Sequence, residues 1–443
     1  MDNKDSKYSN NEAESLRKEE NNRNGAELQQ KEKNGGFWTC FLTASVIFLF
    51  IACVALSISV FIRRAGGTSP VSPAQTGSVS DDGFVTESQE TVDKLNEIEG
   101  YIDRAFIDSV SNDKLSEGLY RGMVEALDDP YATYYTPEEW VKMKEDTTGV
   151  YYGIGAYLML DEEYMYPRIT GVIPGTPAEE AGLKENDYIM KVEGEDVYNQ
   201  DLEAVVARIR GDEGTSVHLT IARGEEGKRE LLEFDVGRRR VETPTVDWKM
   251  MEDDIGYIAI ARFESVTVDQ FAEALAEVKG KGAKGIVLDL RSNPGGSLPA
   301  AVAIAGMMLP KGTVVYTLDK YGNRQDYTSN GSNELQIPMA VLVNGNSASA
   351  SEILAGAIKD YEKGTLVGTT TFGKGIVQQI FELEDESALK VTVSHYYTPN
   401  GNDIHGVGIE PDVVEEFDLE EYEKTETDNQ LEKAKEVVKD LIK

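Results

Sequence analysis

The chain has 443 residues, 44 of them lysine or arginine and 79 aspartate or glutamate, for a net charge of −35. That balance excludes a nucleic-acid partner, since a polyanion would be repelled. A 40% hydrophobic content supports two or three domains with real cores, and the only cysteines, Cys40 and Cys53, lie in one apolar segment, which excludes a disulfide framework or cysteine-held zinc elsewhere.

Residues 1–36 are polar, charged and rich in Asn, the composition of a disordered tail. Residues 37–62, Phe37 to Ile62, carry no charge. As a helix they would extend about 39 Å, past a hydrocarbon core of roughly 30 Å, so the segment predicts a single transmembrane helix. A cleaved signal peptide is the rival, but its apolar stretch runs only about 7–15 residues. Arg23, Lys31 and Lys33 on one side and Arg63 and Arg64 on the other leave only a slight bias towards a cytoplasmic N-terminus. Residues 63–83, rich in Gly, Ser, Pro and Thr from Ala65 onward, predict a flexible stalk. Nearly all the negative charge lies beyond it, where an anionic surface would repel the domains that follow.

Residues 84–145 predict a helical segment, with Val92, Leu95, Ile98, Ile102, Ala105 and Phe106 on one apolar stripe and Pro130 and Pro137 punctuating its end. Within 146–240 the order of elements is similar to that of a PDZ domain. Tyr152-Gly153-Ile154-Gly155 resembles the loop whose backbone N–H groups take a peptide's terminal carboxylate while the peptide adds as a strand to the sheet edge. Thr176-Pro177-Ala178 opens a short helix that Gly182 stops. Leu202 to Ile209 is the helix expected beside the peptide groove, with Arg208 and Arg210 at its end.

Residues 241–415 predict an α/β core. Ile255 to Phe263 alternates like a strand, Val268 to Val278 is an amphipathic helix and Gly285 to Leu290 a short buried strand, the order a parallel crossover requires. Asp289-Leu290-Arg291-Ser292-Asn293-Pro294-Gly295-Gly296 then leaves the strand in a glycine-rich loop and enters a helix from Leu298 to Met308. A second strand, Met339 to Val343, runs through Gly345 into a cluster of serines and a helix ending near Gly364. Ser347, Ser349 and Ser351 thus lie near a helix N-terminus, where negative charge is favoured. Ser349-Ala350-Ser351-Glu352 also fits a capping box, so a cap is the structural alternative for Ser349. Further on, Thr371-Phe372-Gly373-Lys374-Gly375 sets one lysine among apolar and hydroxyl residues. Desolvation lowers a lysine pKa, and a neutral amine can take a serine proton. Gln378, four residues on, shares a face with Lys374 and is placed to orient its amine. Leu389 to Tyr397 predicts a further strand, and residues 416–443 a charged helix from Glu420 to Leu441.

NSASASEI followed by TFGKGIVQQ resembles the active-site signature of the carboxy-terminal processing peptidases, or tail-specific proteases, a family of Ser-Lys endopeptidases with an inserted PDZ domain. The resemblance implies Ser349 as nucleophile, Lys374 as general base and Gln378 as its support. It also implies an oxyanion hole from the N–H of Ala350 and one N–H of the loop holding Gly295 and Gly296. Gly122 to Trp140 and Ser394 to Val414 match the family's helical lead-in and closing segment, and its terminal helices pair two subunits in some members. For the helix at 416–443, docking back on its own core is the alternative.

A Ser-His-Asp hydrolase would need His218, His395 or His405 as base, and Gly345 to Ser349 reads G-N-S-A-S, which is no nucleophile elbow. No metal-ligand spacing is present and no cofactor is implied. The expectation is therefore an α/β (α+β) multidomain chain, held to the cell membrane by one N-terminal helix with its catalytic part outside the cytoplasm. It would cleave proteins with exposed apolar C-terminal tails. A membrane-tethered PDZ scaffold with an inert protease domain is the alternative.

Overall fold

The computed structural model describes residues 88–225 and 227–442, so the expected tail, membrane anchor and stalk lie outside the described residues. Among those described, no helix is long and apolar enough to cross a membrane. The chain divides into two units, the second beginning at Val110. In the first, Gln89–Ala105 is helical, started by Ser88, whose hydroxyl accepts from the Thr91 N–H. The expected stripe is there as a helix face, but Val92, Leu95 and Ile98 are exposed and none of its residues is buried.

The second unit opens with the helix Asn112–Glu125, the short strand Thr133–Tyr135 and the helix Pro137–Thr148. Pro137–Thr148 has a complete capping box between Thr136 and Glu139, and ends at Gly149, which adopts φ 73°. A two-stranded ribbon, Val150–Gly153 against Arg239–Glu242, then leads into and out of the PDZ-like domain. That domain has its own sheet, ordered Ala156–Leu160, Pro167–Val172, Tyr188–Val192, Ser216–Arg223 and Glu230–Gly237, with Glu195–Asp196 paired at the side. Its core gathers Ile154, Ile169, Ile189, Leu219 and Ile221 against Val205 and Ile209 of the helix Leu202–Ile209.

The α/β core is a six-stranded sheet ordered Val246–Met250, Ile255–Ile260, Gly285–Asp289, Met339–Val343, Thr365–Gly368 and Val413–Val414. Only the first pairing is antiparallel. Gly285–Asp289 and Met339–Val343 are buried at every position, as parallel strands covered on both faces must be. Helices Thr267–Gly280, Leu298–Ala305 and Ala350–Asp360 cover one face with Phe271, Ile304, Leu354 and Ile358. Ala434 and Val438 of the helix Asn429–Ile442 cover the other, over Val287, Ala340 and Leu342. A second, antiparallel sheet of five strands comprises Thr133–Tyr135, Ala388–Tyr397, Gly312–Asp319, Arg324–Ser329 and Ile376–Glu382.

Among the boundaries that differ from the periodicity, three have an evident physical cause. The strand expected to reach Phe263 stops at Ile260, because Phe263 instead bonds the glycine loop, its N–H donating to the Gly295 carbonyl at 2.9 Å. The helix expected to reach Met308 ends at Ala305 with Gly306 as its cap. The single C-terminal helix expected from Glu420 to Leu441 is two, Leu419–Thr425 and Asn429–Ile442. Glu426 at φ 58° breaks the run, and Asp428 starts the second helix by accepting from the Leu431 N–H at 2.9 Å.

Candidate active site

The serine cluster is resolved by what each hydroxyl touches. Ser347 Oγ donates to the Leu290 carbonyl at 2.8 Å, and Ser351 Oγ to the Asn293 carbonyl at 2.9 Å; both residues are fully buried. Ser349 is half-buried and its hydroxyl makes no cap hydrogen bond. The box expected there brings the two residues together: the Ser349 N–H donates to Glu352 Oε2 at 2.8 Å and the Ser349 oxygen faces the Glu352 N–H, which leaves the hydroxyl proton uncommitted. Its backbone sits at φ 55°, ψ −112°, a conformation that costs an ordinary residue roughly 1–3 kcal/mol and is kept where the surroundings hold it.

Those surroundings are specific. Asn293, fully buried, takes the Ala348 N–H on its carbonyl at 3.0 Å, while its side chain donates to the Ile260 carbonyl and accepts from the Gly295 N–H, both at 2.8 Å. Gly295, at φ 98°, lies so close to the serine turn that a Cβ there would stand 2.8 Å from Ser349 Cβ and 2.9 Å from the Ala350 nitrogen. Tyr396 Oη donates to the Ser349 carbonyl at 3.1 Å from the far side. The N–H groups of Ala350 and Gly296 make no hydrogen bond among the described residues, whereas that of Gly295 is taken by Asn293.

Glu352 joins the two halves of the site. Its carboxylate, with no exposure to solvent, accepts from Ser349 N–H, Lys374 N–H at 2.9 Å, Gly373 N–H at 2.7 Å and Thr371 Oγ1 at 2.6 Å. The loop carrying the lysine is thereby clamped to the helix carrying the serine. The only sequence signal for this residue was its capping spacing, which does not show the long-range partners.

Ser349, Lys374 and Gln378 line one cavity of about 500 Å³, together with Gly295, Gly296, Lys390 and Tyr396; no histidine lines it. Lys374 Nζ lies 4.3 Å from the centre of the Tyr131 ring and makes no hydrogen bond to Ser349 or Gln378 in this conformation. Burial, and then the positive charge of Lys390, hold the Lys374 amine below the ordinary lysine range, with Asp129 pulling the other way. Gln378 follows a bulge in the strand Ile376–Glu382, and its Nε2 is buried without a partner. Tyr131, Asp129, Lys390 and Tyr396 escaped the sequence reading because nothing in their local pattern separates them from packing residues.

A second cavity, of about 320 Å³, lies in the PDZ-like domain and is lined by Ile154, Gly155, Ala156 and Leu158 opposite Val206, Ile209 and Arg210. Gly153 is buried in the ribbon, and Tyr152 points outward, 43% exposed; it is Tyr151 that faces the groove. Arg210 is held by an ion pair to Glu145 and lies over the Tyr151 ring. Arg208 instead donates to the Val192 carbonyl and pairs with Glu195. Asp146, Arg262 and Glu264 line both cavities, so the groove and the cavity of Ser349 and Lys374 share a rim.

The family model of Peptidase family S41 matches residues 254–415, that of the PDZ domain 168–223, and that of the activating protease CtpB N-terminal domain 67–139. A carboxyl-terminal-processing protease of Synechocystis sp. is 39% identical over 301 residues, covering 67% of this chain and 70% of that one. The chain belongs to the carboxyl-terminal-processing proteases of peptidase family S41. The carboxy-terminal processing protease CtpA of Bacillus subtilis is 35% identical to this protease over 372 residues, 84% of this chain and 76% of its relative. The α/β core thus corresponds to the S41 region, and the sheet inserted through the ribbon to the PDZ region.

Proposed function

We propose that this protease is a serine endopeptidase in which Ser349 is the nucleophile and Lys374 the general base, acting on proteins whose apolar C-terminal tails the PDZ groove captures. The observation carrying it is the Ser349 hydroxyl: of three neighbouring serines it alone donates its proton to no main-chain carbonyl, on a strained backbone, in a cavity shared with a lysine that has no carboxylate at ion-pair distance among the described residues. Neutral Lys374 takes the proton of Ser349 Oγ as the oxygen attacks the scissile carbonyl. The same proton goes to the leaving amine, and water then hydrolyses the ester with Lys374 again as base. The lysine reaches the serine by rotating off the Tyr131 ring, and Gln378, which lines the same cavity, steadies it there with its amide oxygen accepting from the amine N–H so that the lone pair stays free. The oxyanion would rest on the free N–H groups of Ala350 and Gly296, each worth about 3–4 kcal/mol to the transition state.

The uncharged run Phe37 to Ile62 supports a single-pass anchor, and the slight excess of basic residues before it supports a catalytic part on the extracytoplasmic side, which added protease on intact cells would test by digesting only outward domains. For the chemistry, the full chain is incubated with a tailed test protein and a tail-clipped control. The wild type should cleave the tailed form faster, Ser349→Ala should bind it without cleaving, and Lys374→Met should not cleave. Cleavage by either variant overturns the assignment, and binding without cleavage by the wild type would favour a scaffold.

A further inference from the structure

A second lysine stands in the catalytic cavity. Lys390 comes from the long strand Ala388–Tyr397, opposite Thr133 on one side and Ile380 on the other, and lines the cavity with Ser349 and Lys374. Its Nζ donates to Tyr135 Oη at 2.7 Å, which fixes it to the strand Thr133–Tyr135. In an acidic chain, lysines such as Lys142, Lys284 and Lys359 find carboxylates, yet among the described residues neither Lys374 nor Lys390 has one within ion-pair distance. Two unpaired cations in one half-closed cavity are costly unless one of them gives up its charge.

We propose that Lys390 is a positioning residue for the base: its anchored positive charge disfavours a second one on Lys374 and so keeps that amine able to take the Ser349 proton. This rests on the Ser-Lys reading above. The groups facing Lys374 pull in both directions. From the loop before Thr133 come the Tyr131 ring and Asp129, which favour the charged amine. From the helix Ala350–Asp360 comes Glu352, but its oxygens are occupied by main-chain N–H groups and Thr371. Asp146, Arg262 and Glu264 also line the cavity. Lys390 is the charge that opposes a proton on Lys374, and it adds to burial in the same direction. A neighbouring cation is one of the ways an amine is activated.

The test uses the full chain and two readouts. One is the rate at which a trace amine-acylating reagent labels Lys374 as pH is varied, followed by peptide mass spectrometry. The other is the pH profile of kcat/KM on a tailed substrate. Lys390→Met should move the midpoint of Lys374 labelling and the rising limb of kcat/KM to higher pH together. At pH 7 the rate should fall roughly three- to tenfold and recover above the limb. Lys390→Arg should restore both curves. Tyr135→Phe, which keeps the charge but releases its anchor, should give a smaller shift in the same direction and stands in if Lys390→Met does not fold. An unmoved labelling midpoint, or a loss equal at every pH, overturns the proposal. Should Lys374→Met remain active, the base assignment falls instead, while the labelling midpoint still reports whether Lys390 governs that amine.

Discussion

Three serines occur between positions 347 and 351, and their roles diverge only through their neighbours: two hydroxyls hold the glycine loop and one is left over. Glu352 is what keeps the leftover one facing the lysine loop. Replacing its carboxylate by an amide puts N–H groups where four donors converge. Glu352→Gln should therefore loosen the loop and lower kcat roughly 100-fold, the scale of a 1 Å misplacement, with KM for a tailed substrate little changed. Steady-state kinetics on soluble, folded variant check this. Gly295 permits no side chain, since a Cβ would stand 2.6 Å from the Ala348 carbonyl oxygen at a backbone angle of φ 98°. Gly295→Ala should cost about 100-fold in kcat/KM while leaving peptide binding to the PDZ groove unaltered, as measured by fluorescence anisotropy of a labelled tail.

At the level of elements, the active-site loop and the C-terminal helix are held by one cation. Arg291, two residues past the end of the strand Gly285–Asp289, donates to both Asp289 and Asp428, with closest distances of 2.7 and 2.8 Å, and to Gln430 at 3.1 Å. All three charged groups are largely buried. The break in the C-terminal helix follows from this, because Asp428 must start a new helix and point at Arg291 at once. The helix then packs Val438 onto Gly285 so closely that no Cβ would fit there. Docking back on its own core, the alternative to pairing subunits, is thus what this helix does within the chain. Arg291→Met leaves two buried carboxylates facing each other, and should destabilise the protease by about 3 kcal/mol, read as a lowered thermal midpoint. Because the same residue borders the glycine loop, activity should fall below what the unfolded fraction explains.

Across the whole second unit, two cavities with different chemistry meet at one rim. The PDZ groove is apolar on its Val206 and Ile209 side, and the catalytic cavity carries the lysines; Asp146, Arg262 and Glu264 border both. Burial lifts the Glu264 carboxyl above the usual range, with Arg262 opposing and Asp146 adding to the rise. The proposed function requires a tail in the groove to pass its preceding residues over this shared rim. Val206→Glu, placing a charge on the apolar wall, should lower kcat/KM for a tailed substrate about tenfold and leave the tail-clipped control unchanged.

Sequence alone determined the elements whose signal is local. The buried runs Gly285 to Leu290, one residue longer than the strand itself, and Met339–Val343, the helix Leu202–Ile209 with its bounds, and the paired motifs around Ser349 and Lys374 are legible because periodicity, glycine stops and residue order are properties of neighbours along the chain. Tertiary structure decided what depends on contact between distant segments. Which serine keeps a free hydroxyl, why the helix near Glu426 breaks, that Glu352 binds the lysine loop rather than merely capping its helix, and that Lys390 and Tyr131 flank Lys374 all arise from groups far apart in sequence. A hydrogen bond or a Coulomb interaction is set by distance in space, and one chain position carries no record of which remote partner will complete it.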